Sequence, residues 1–188
     1  MTDTKFTILA FAGSLRANSY NRGLIRLAAK VAPEDVTVRS FDIAPIPLYN
    51  EDVEQQGDPD PVRRFKEEIG AADALLIATP EYNYSVPGVL KNAIDWASRP
   101  PQTSPLKRKP TAIIGASGGP WGTTRAQLAL RQSFTFTETL VLPKPELYVT
   151  NGRERFDAEA NLKDSTDPTA QRLAEVLTAL VTWTKQHP

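Results

Sequence analysis

Thr7-Ile8-Leu9-Ala10-Phe11-Ala12-Gly13-Ser14-Leu15-Arg16-Ala17-Asn18-Ser19-Tyr20-Asn21 is the stretch whose pattern decides the fold. Its first six residues form a short apolar run ended by Gly13, the signature of a parallel strand covered on both faces. Beyond Asn21, Leu24, Leu27, Ala28 and Val31 recur at i, i+3, i+4 and i+7. That spacing predicts a helix with one apolar stripe, starting near Ser19 and stopping before Pro33. Strand, tight loop and helix in this order open an α/β sheet.

The pattern repeats along the chain. Val36-Thr37-Val38-Arg39-Ser40-Phe41 reads as a second strand, its partial alternation placing it nearer a sheet edge. A long proline-containing loop follows. Asp60 before Pro61 predicts a capped helix start, with Val62, Phe65 and Ile69 as its stripe and Gly70 as its stop. Ala74-Leu75-Leu76-Ile77-Ala78-Thr79 is the most apolar strand and is expected at the sheet centre, and a helix opened by Pro87 comes after it. Thr111-Ala112-Ile113-Ile114-Gly115-Ala116-Ser117 is a fourth strand, followed by a helix capped by Thr123 or Thr124 and a short fifth strand at Thr139-Leu140-Val141-Leu142. Residues 144–165 read as polar and irregular around one further extended piece, Leu147-Tyr148-Val149. Asp167-Pro168 then starts a closing helix. Five strands alternating with helices imply a parallel sheet with helices on both faces, and ligands of such sheets lie beyond the carboxyl ends of the strands.

Composition narrows the chemistry. The 188 residues suit one domain, and 40% hydrophobic with 23% charged residues is a soluble globular profile. Lys+Arg and Asp+Glu both number 22, so no basic field gathers nucleic acid or anionic lipid, and neither nucleic acid nor membrane is an expected partner. Cysteine is absent, which excludes thiolate metal sites, cysteine nucleophiles and dithiol redox chemistry, so a redox role requires a bound cofactor. The single histidine, His187, is next to the last residue, and no catalytic triad or multi-histidine metal site can be built. The N-terminus carries no export pattern, so the cytoplasm is the expected location.

Three loops leave the carboxyl ends of the first, third and fourth strands. The loop 13–21 sets Ser14, Arg16, Ser19 and Asn21 where a helix begins, and free N–H groups with the helix dipole favour an anion there. A phosphate monoester matches these donors. The competing reading is a plain cap at Ser19 and a turn at Ser14, but a cap does not call for four donors including a guanidinium. Neither Gly-x4-Gly-Lys-Ser/Thr nor, after the first strand, Gly-x-Gly-x-x-Gly occurs, which favours a mononucleotide. The loop Pro80-Glu81-Tyr82-Asn83-Tyr84-Ser85-Val86-Pro87-Gly88 offers tyrosines and an amide to a flat heteroaromatic ring, or packs as an ordinary turn. In Ser117-Gly118-Gly119-Pro120-Trp121-Gly122, glycines permit close backbone approach to a ligand, or make a plain turn.

Together, Gly13-Ser14-Leu15-Arg16-x-x-Ser19-x-Asn21, Thr79-Pro80-Glu81-Tyr82-Asn83 with Pro87-Gly88-x-Leu90-Lys91-Asn92-x-Ile94-Asp95-Trp96, and Gly118-Gly119 with Arg125 resemble the NADPH-dependent FMN reductase family, which includes quinone, azo-dye and chromate reductases. The resemblance runs from about Phe6 to Leu180. It implies a flavodoxin-like fold with strand order 2-1-3-4-5 and bound FMN, reduced by NADPH or NADH. It implies that Ser14, Arg16, Ser19 and Asn21 hold the FMN phosphate, that Pro80, Glu81, Tyr82 and Asn83 line the isoalloxazine ring, and that Ser117, Gly118 and Gly119 close its other edge. It also implies a homodimer or homotetramer, in which Tyr49-Asn50-Glu51-Asp52 approaches the partner's flavin.

The expected activity is ping-pong: hydride passes from NAD(P)H to the flavin, the nicotinamide leaves, and a quinone, flavin or other small electron acceptor takes its place. The flavin does the chemistry, so no catalytic side chain is assigned. The alternative is a flavodoxin-like electron carrier without nicotinamide turnover, although such carriers are generally strongly acidic and this chain is neutral. Trp96, Trp121 and the helices carrying Leu90 and Leu128 are expected either in an oligomer interface or in the core.

Overall fold

A computed structural model describes residues 6–187. In chain order it contains β1 (Phe6–Ala12), α1 (Tyr20–Val31), β2 (Val36–Phe41), α2 (Glu51–Glu54), α3 (Asp60–Ala71), β3 (Ala74–Ala78), α4 (Gly88–Ala97), β4 (Pro110–Ala116), α5 (Thr124–Phe136), β5 (Leu140–Val141), β6 (Leu147–Val149), α6 (Gly152–Arg155) and α7 (Pro168–Gln186). The sheet runs β2-β1-β3-β4-β5 with every pairing parallel, which is the flavodoxin-like order.

The sheet has six strands rather than five, because its far edge is built in two pieces. Beside β4, Leu140–Val141 pair with Pro110 and Thr111, whereas Leu147–Val149 pair with Ile114, Gly115 and Ala116. Pro143 and Pro145 lie between the pieces. Neither has an N–H for the ladder, so the edge breaks there and resumes at Leu147.

Alternation along the strands sorts the core into two layers. Ile8, Ala10, Ala74, Ala78, Ala112 and Ala116 face α1 and α7; Leu9, Phe11, Leu75, Ile77 and Ile113 face α3, α4 and α5. The first face is alanine-rich, so α1 lies close to the sheet and its N-terminus stands just beyond the end of β1. Trp96 and Leu90 belong to the core, Trp96 donating from Nε1 to the Pro47 carbonyl at 2.8 Å. Trp121 and Leu128 are exposed.

Two helix starts differ from expectation. At α3 the cap position is Pro59, and the Asp60 carboxylate accepts from the Arg63 guanidinium at 2.8 Å instead of from the helix backbone. Thr123 occupies the cap position of α5, yet its hydroxyl accepts from Gln127 Nε2 and leaves the helix N–H groups open. The segment after Pro47, expected as a loop, contains the one-turn helix α2, capped by Asn50.

At α7, Asp167 is the cap as expected, accepting from the Thr169 N–H at 2.8 Å while Arg155 of α6 grips the same carboxylate at 2.6 and 2.8 Å. Burial pushes this carboxyl up, but the bonds from Arg155 and Thr169 outweigh it and hold the group at about 2. The folded value lies below the ordinary aspartate value of about 3.9, so the stabilisation is present above that value and fades as pH falls toward 2. Asp167→Asn is therefore expected to lower stability by about 1–2 kcal/mol at pH 7, with the gap from wild type closing by about pH 2 in urea titrations. A gap independent of pH would assign the loss to packing.

Candidate functional site

Beyond the carboxyl ends of β1, β3 and β4 the three loops enclose a cleft of about 310 Å³. Its walls include Ser14, Arg16, Ser19 and Asn21 from the first loop, Pro80, Glu81 and Tyr82 from the second, and Ser117 and Gly118 from the third. Of the residues expected at the site, Asn83 and Gly119 stand outside this lining. Asn83 is exposed at a turn tip, and Gly119 lies one residue past the wall.

The first loop is pressed against the second. A β-carbon on Gly13 would stand 2.9 Å from Leu90 Cδ2, 3.1 Å from Leu90 Cβ and 3.4 Å from Pro80, so any side chain there would have to displace Leu90. Ser14 and Ser19 are nearly buried, and their oxygens accept from the N–H groups of Arg16 (3.4 Å) and Asn21 (3.2 Å). Both hydroxyl hydrogens remain free to donate into the cleft. The Arg16 guanidinium has no carboxylate partner among the described residues and lies over the Tyr20 ring, 5.2 Å from its centroid.

The Asn21 amide is committed elsewhere. Its Nδ2 donates to the Ala116 carbonyl at 3.0 Å and its Oδ1 accepts the Ala116 N–H at 2.9 Å, which locks the end of β4 to the start of α1. Asn21 therefore shapes the cleft through its own fixed position.

Glu81 is committed as well. Its Oε2 accepts from the backbone N–H groups of Arg125 (2.9 Å) and Ala126 (3.2 Å), and its Oε1 accepts from Arg125 Nε (2.6 Å). It supplies the cap that Thr123 does not, with the positive end of the α5 dipole adding to the attraction. Arg125 in turn stacks on Tyr84, 3.8 Å from the ring centroid. Tyr82 and Ser85 exchange backbone hydrogen bonds around Asn83 and Tyr84, both at positive φ (49° and 67°). Asparagine tolerates that region but tyrosine pays a cost there, and the Arg125 stack holds Tyr84 in it.

The third loop is tied down by β6. Ser117 N–H donates to Val149, Asn151 N–H to Gly119 and Gly152 N–H to Ser117. This brings in two residues that sequence reasoning missed, Tyr20 and Arg153, both lining the cleft. Tyr20 sits inside the first motif, between Ser19 and Asn21. Arg153 has no local motif; the signal was the extended piece at Leu147–Val149, whose parallel pairing with β4 sets its C-terminal end beside Ser117. His187 lies at the C-terminus of α7 against Trp183. The loop at Tyr49 is anchored to α4, with Tyr49 N–H donating to Asn92 Oδ1 at 2.8 Å.

Free hydroxyl donors and an unpaired guanidinium at a helix N-terminus, with a tyrosine-bearing wall opposite, fit a phosphate joined to a planar ring. The donor set thus accommodates FMN. Comparison with known proteins agrees. The profile of the NADPH-dependent FMN reductase family matches residues 6–154. An NAD(P)H-dependent FMN reductase of Pseudomonas aeruginosa is 49% identical over 179 residues, 95% of each chain. A quinone reductase of Pseudomonas putida is 41% identical over 170 residues, 90% of this chain and 91% of that one. The flavoenzyme NAD(P)H:(acceptor) oxidoreductase of Paracoccus denitrificans superposes with a TM-score of 0.86 at 36% identity, covering 97% of this chain and 98% of that one.

Removing the Glu81 brace tests its weight. Glu81→Ala is expected to cost about 1–3 kcal/mol in urea unfolding, and Glu81→Gln about half as much, since the amide can still accept from one helix N–H. Wild-type stability in Glu81→Ala would show that α5 needs no cap from this loop.

Proposed function

Because the chain belongs to the NADPH-dependent FMN reductase family and is a flavin-dependent NAD(P)H oxidoreductase, we propose that its cleft seats FMN with the phosphate on Ser14, Arg16 and Ser19. The observation that carries this reading is that the unpaired Arg16 guanidinium and two free hydroxyl donors meet the start of α1 inside one cleft. Asn21 contributes by fixing that cleft's shape, and Pro80 and Tyr82, which line the cleft, take the side of the ring, with Asn83 at the turn tip beyond them. Glu81 holds the ring-side loop in place through α5 and Arg125. Ser117 and Gly118 close the opposite edge, and Gly119 holds that loop through its bond from Asn151.

When bound, FMN supplies the two-electron chemistry, hydride arriving from NADPH or NADH and electrons leaving to a quinone, a free flavin or another small acceptor that enters once the nicotinamide has left. The protein's own task is orientation and electrostatics. Tyr82 and Tyr84, half or more exposed at the rim, offer flat apolar surface to a nicotinamide or quinone ring. A cytoplasmic location suits an enzyme that draws on reduced nicotinamide.

The same reading includes a homodimer or homotetramer. It is supported by the rim itself: Tyr84 stacks on Arg125, and Leu128, one helical turn further along α5, is 56% exposed, as Trp121 is at 71%.

Anaerobic NADPH or NADH is expected to bleach the flavin absorbance of the purified protein, and initial rates with a benzoquinone acceptor should give parallel double-reciprocal lines. An FMN-loaded protein that oxidises neither nucleotide would overturn the enzyme reading, and intersecting lines the ping-pong order. Light scattering on dilution should show flavin released together with dissociation into monomers. Flavin retained by a proven monomer would count against a shared site.

A further inference from the structure

Arg153 belongs to no motif in the chain, yet it lines the same cleft as Arg16. Resting on the phosphate seat proposed above, we propose that Arg153 is a second guanidinium on the FMN phosphate, reaching it from the third-loop side of the cleft, beside the start of α1.

Its position follows from β6. Because Val149 pairs with Ala116, the chain leaves β6 beside the end of β4, turns at Asn151 (φ 52°) and is bolted to the third loop by the Asn151–Gly119 and Gly152–Ser117 hydrogen bonds, 2.9 and 2.8 Å. Gly152 is packed so tightly that a β-carbon there would stand 2.8 Å from the Tyr20 ring. That ring is the one beneath the Arg16 guanidinium. Arg153 therefore emerges at the phosphate end of the cleft, next to α1, and not at the tyrosine-lined end. Its side chain then crosses Gly118, with Nε 3.4 Å from where a β-carbon would be.

Charge supports the same assignment. Arg155, two residues on, is consumed by Asp167, whereas Arg153 has no carboxylate partner among the described residues. A phosphate monoester carries close to two negative charges at neutral pH, which two guanidiniums match and one does not. Glu81, the carboxylate on the cleft wall, is held by Arg125 and the start of α5 and does not compete for either arginine. The short helix α6 contributes no dipole of consequence; it acts as the post on which Arg153 stands, and the Arg155–Asp167 pair fixes that post to α7.

The test is direct binding to the flavin-stripped full-length protein, followed by quenching of flavin fluorescence, with FMN and riboflavin compared in wild type, Arg153→Gln, Arg153→Lys and Arg16→Gln. Arg153→Gln is expected to raise the FMN Kd about 10- to 100-fold and to leave the riboflavin Kd unchanged. Arg153→Lys should recover part of the loss, because it restores charge without the planar fork. Arg16→Gln should shift the ratio in the same direction. If Arg16→Gln weakens FMN selectively while Arg153→Gln binds it like wild type, Arg153 is not on the phosphate; this holds equally if Arg153→Gln changes only the KM for NADPH. If neither arginine alters the ratio of FMN to riboflavin affinity, the phosphate seat itself is wrong and the Arg153 assignment falls with it.

Discussion

Asn21 completes a strand pairing that no strand supplies. β3 ends at Ala78 opposite Ile114, and the Thr79 N–H makes the last ladder bond to the Ile114 carbonyl. β4 continues two residues further, so the N–H and C=O of Ala116 would be buried on that side without partners. The Asn21 amide meets both, at 2.9 and 3.0 Å. Leaving such groups unpaired costs on the order of 1–3 kcal/mol each. The same two bonds decide where α1 begins relative to β4, and thus how far the first loop stands from the third.

The approach of α1 depends in turn on the alanines of one sheet face and on Gly23. A β-carbon at Gly23 would fall 2.0 Å from the Ala160 carbonyl oxygen, so the strap after α6 can lie against α1 only where a residue has no side chain. The opposite face has large residues, Phe11, Leu75 and Ile77, and the loop that crosses α4 there, at Pro47 to Tyr49, is met by the side chains of Asn92 and Trp96 instead of by bare backbone. The asymmetry between the faces puts the start of α1, the strap and the third loop within reach of one ligand. On the other face Gly115 allows one close approach of its own, since a β-carbon there would collide with Thr123 Oγ1 and the Thr79 carbonyl oxygen, at 2.0 and 2.3 Å.

The strands β1 to β4 and the three loops were legible because apolar runs, glycine and proline stops and helical periodicity are local signals, whereas the strand order followed from the family resemblance. The first loop was legible as a donor cluster at a helix start. The functions of individual side chains were less so. Asn21 looks like a phosphate donor when only its neighbours in sequence are visible, but its amide answers to Ala116, 95 residues away. Glu81 looks like a ring-side acid and caps a helix 44 residues later. Arg153 was missed because its place rests on the far edge of the sheet, where the extended piece Leu147–Val149, separated from β5 by Pro143 and Pro145, pairs with β4 as a sixth strand. Asn21 and Glu81 do line the cleft, and what the sequence did not show for them, as for Arg153, is a long-range partnership, which composition and spacing do not encode.

These partnerships also explain how a carboxylate can sit on the wall of an anion site. An uncommitted Glu81 would repel a phosphate and bind Arg16 or Arg153 itself, closing the cleft with an internal ion pair. With both oxygens accepting from α5 and Arg125, the acid is neutralised locally and its side chain is fixed, only 8% exposed. The cleft thus keeps a positive field inside a chain whose formal charge sums to zero. Attraction for a phosphate here comes from which charges are already spoken for, so a neutral sequence and an anion site are compatible.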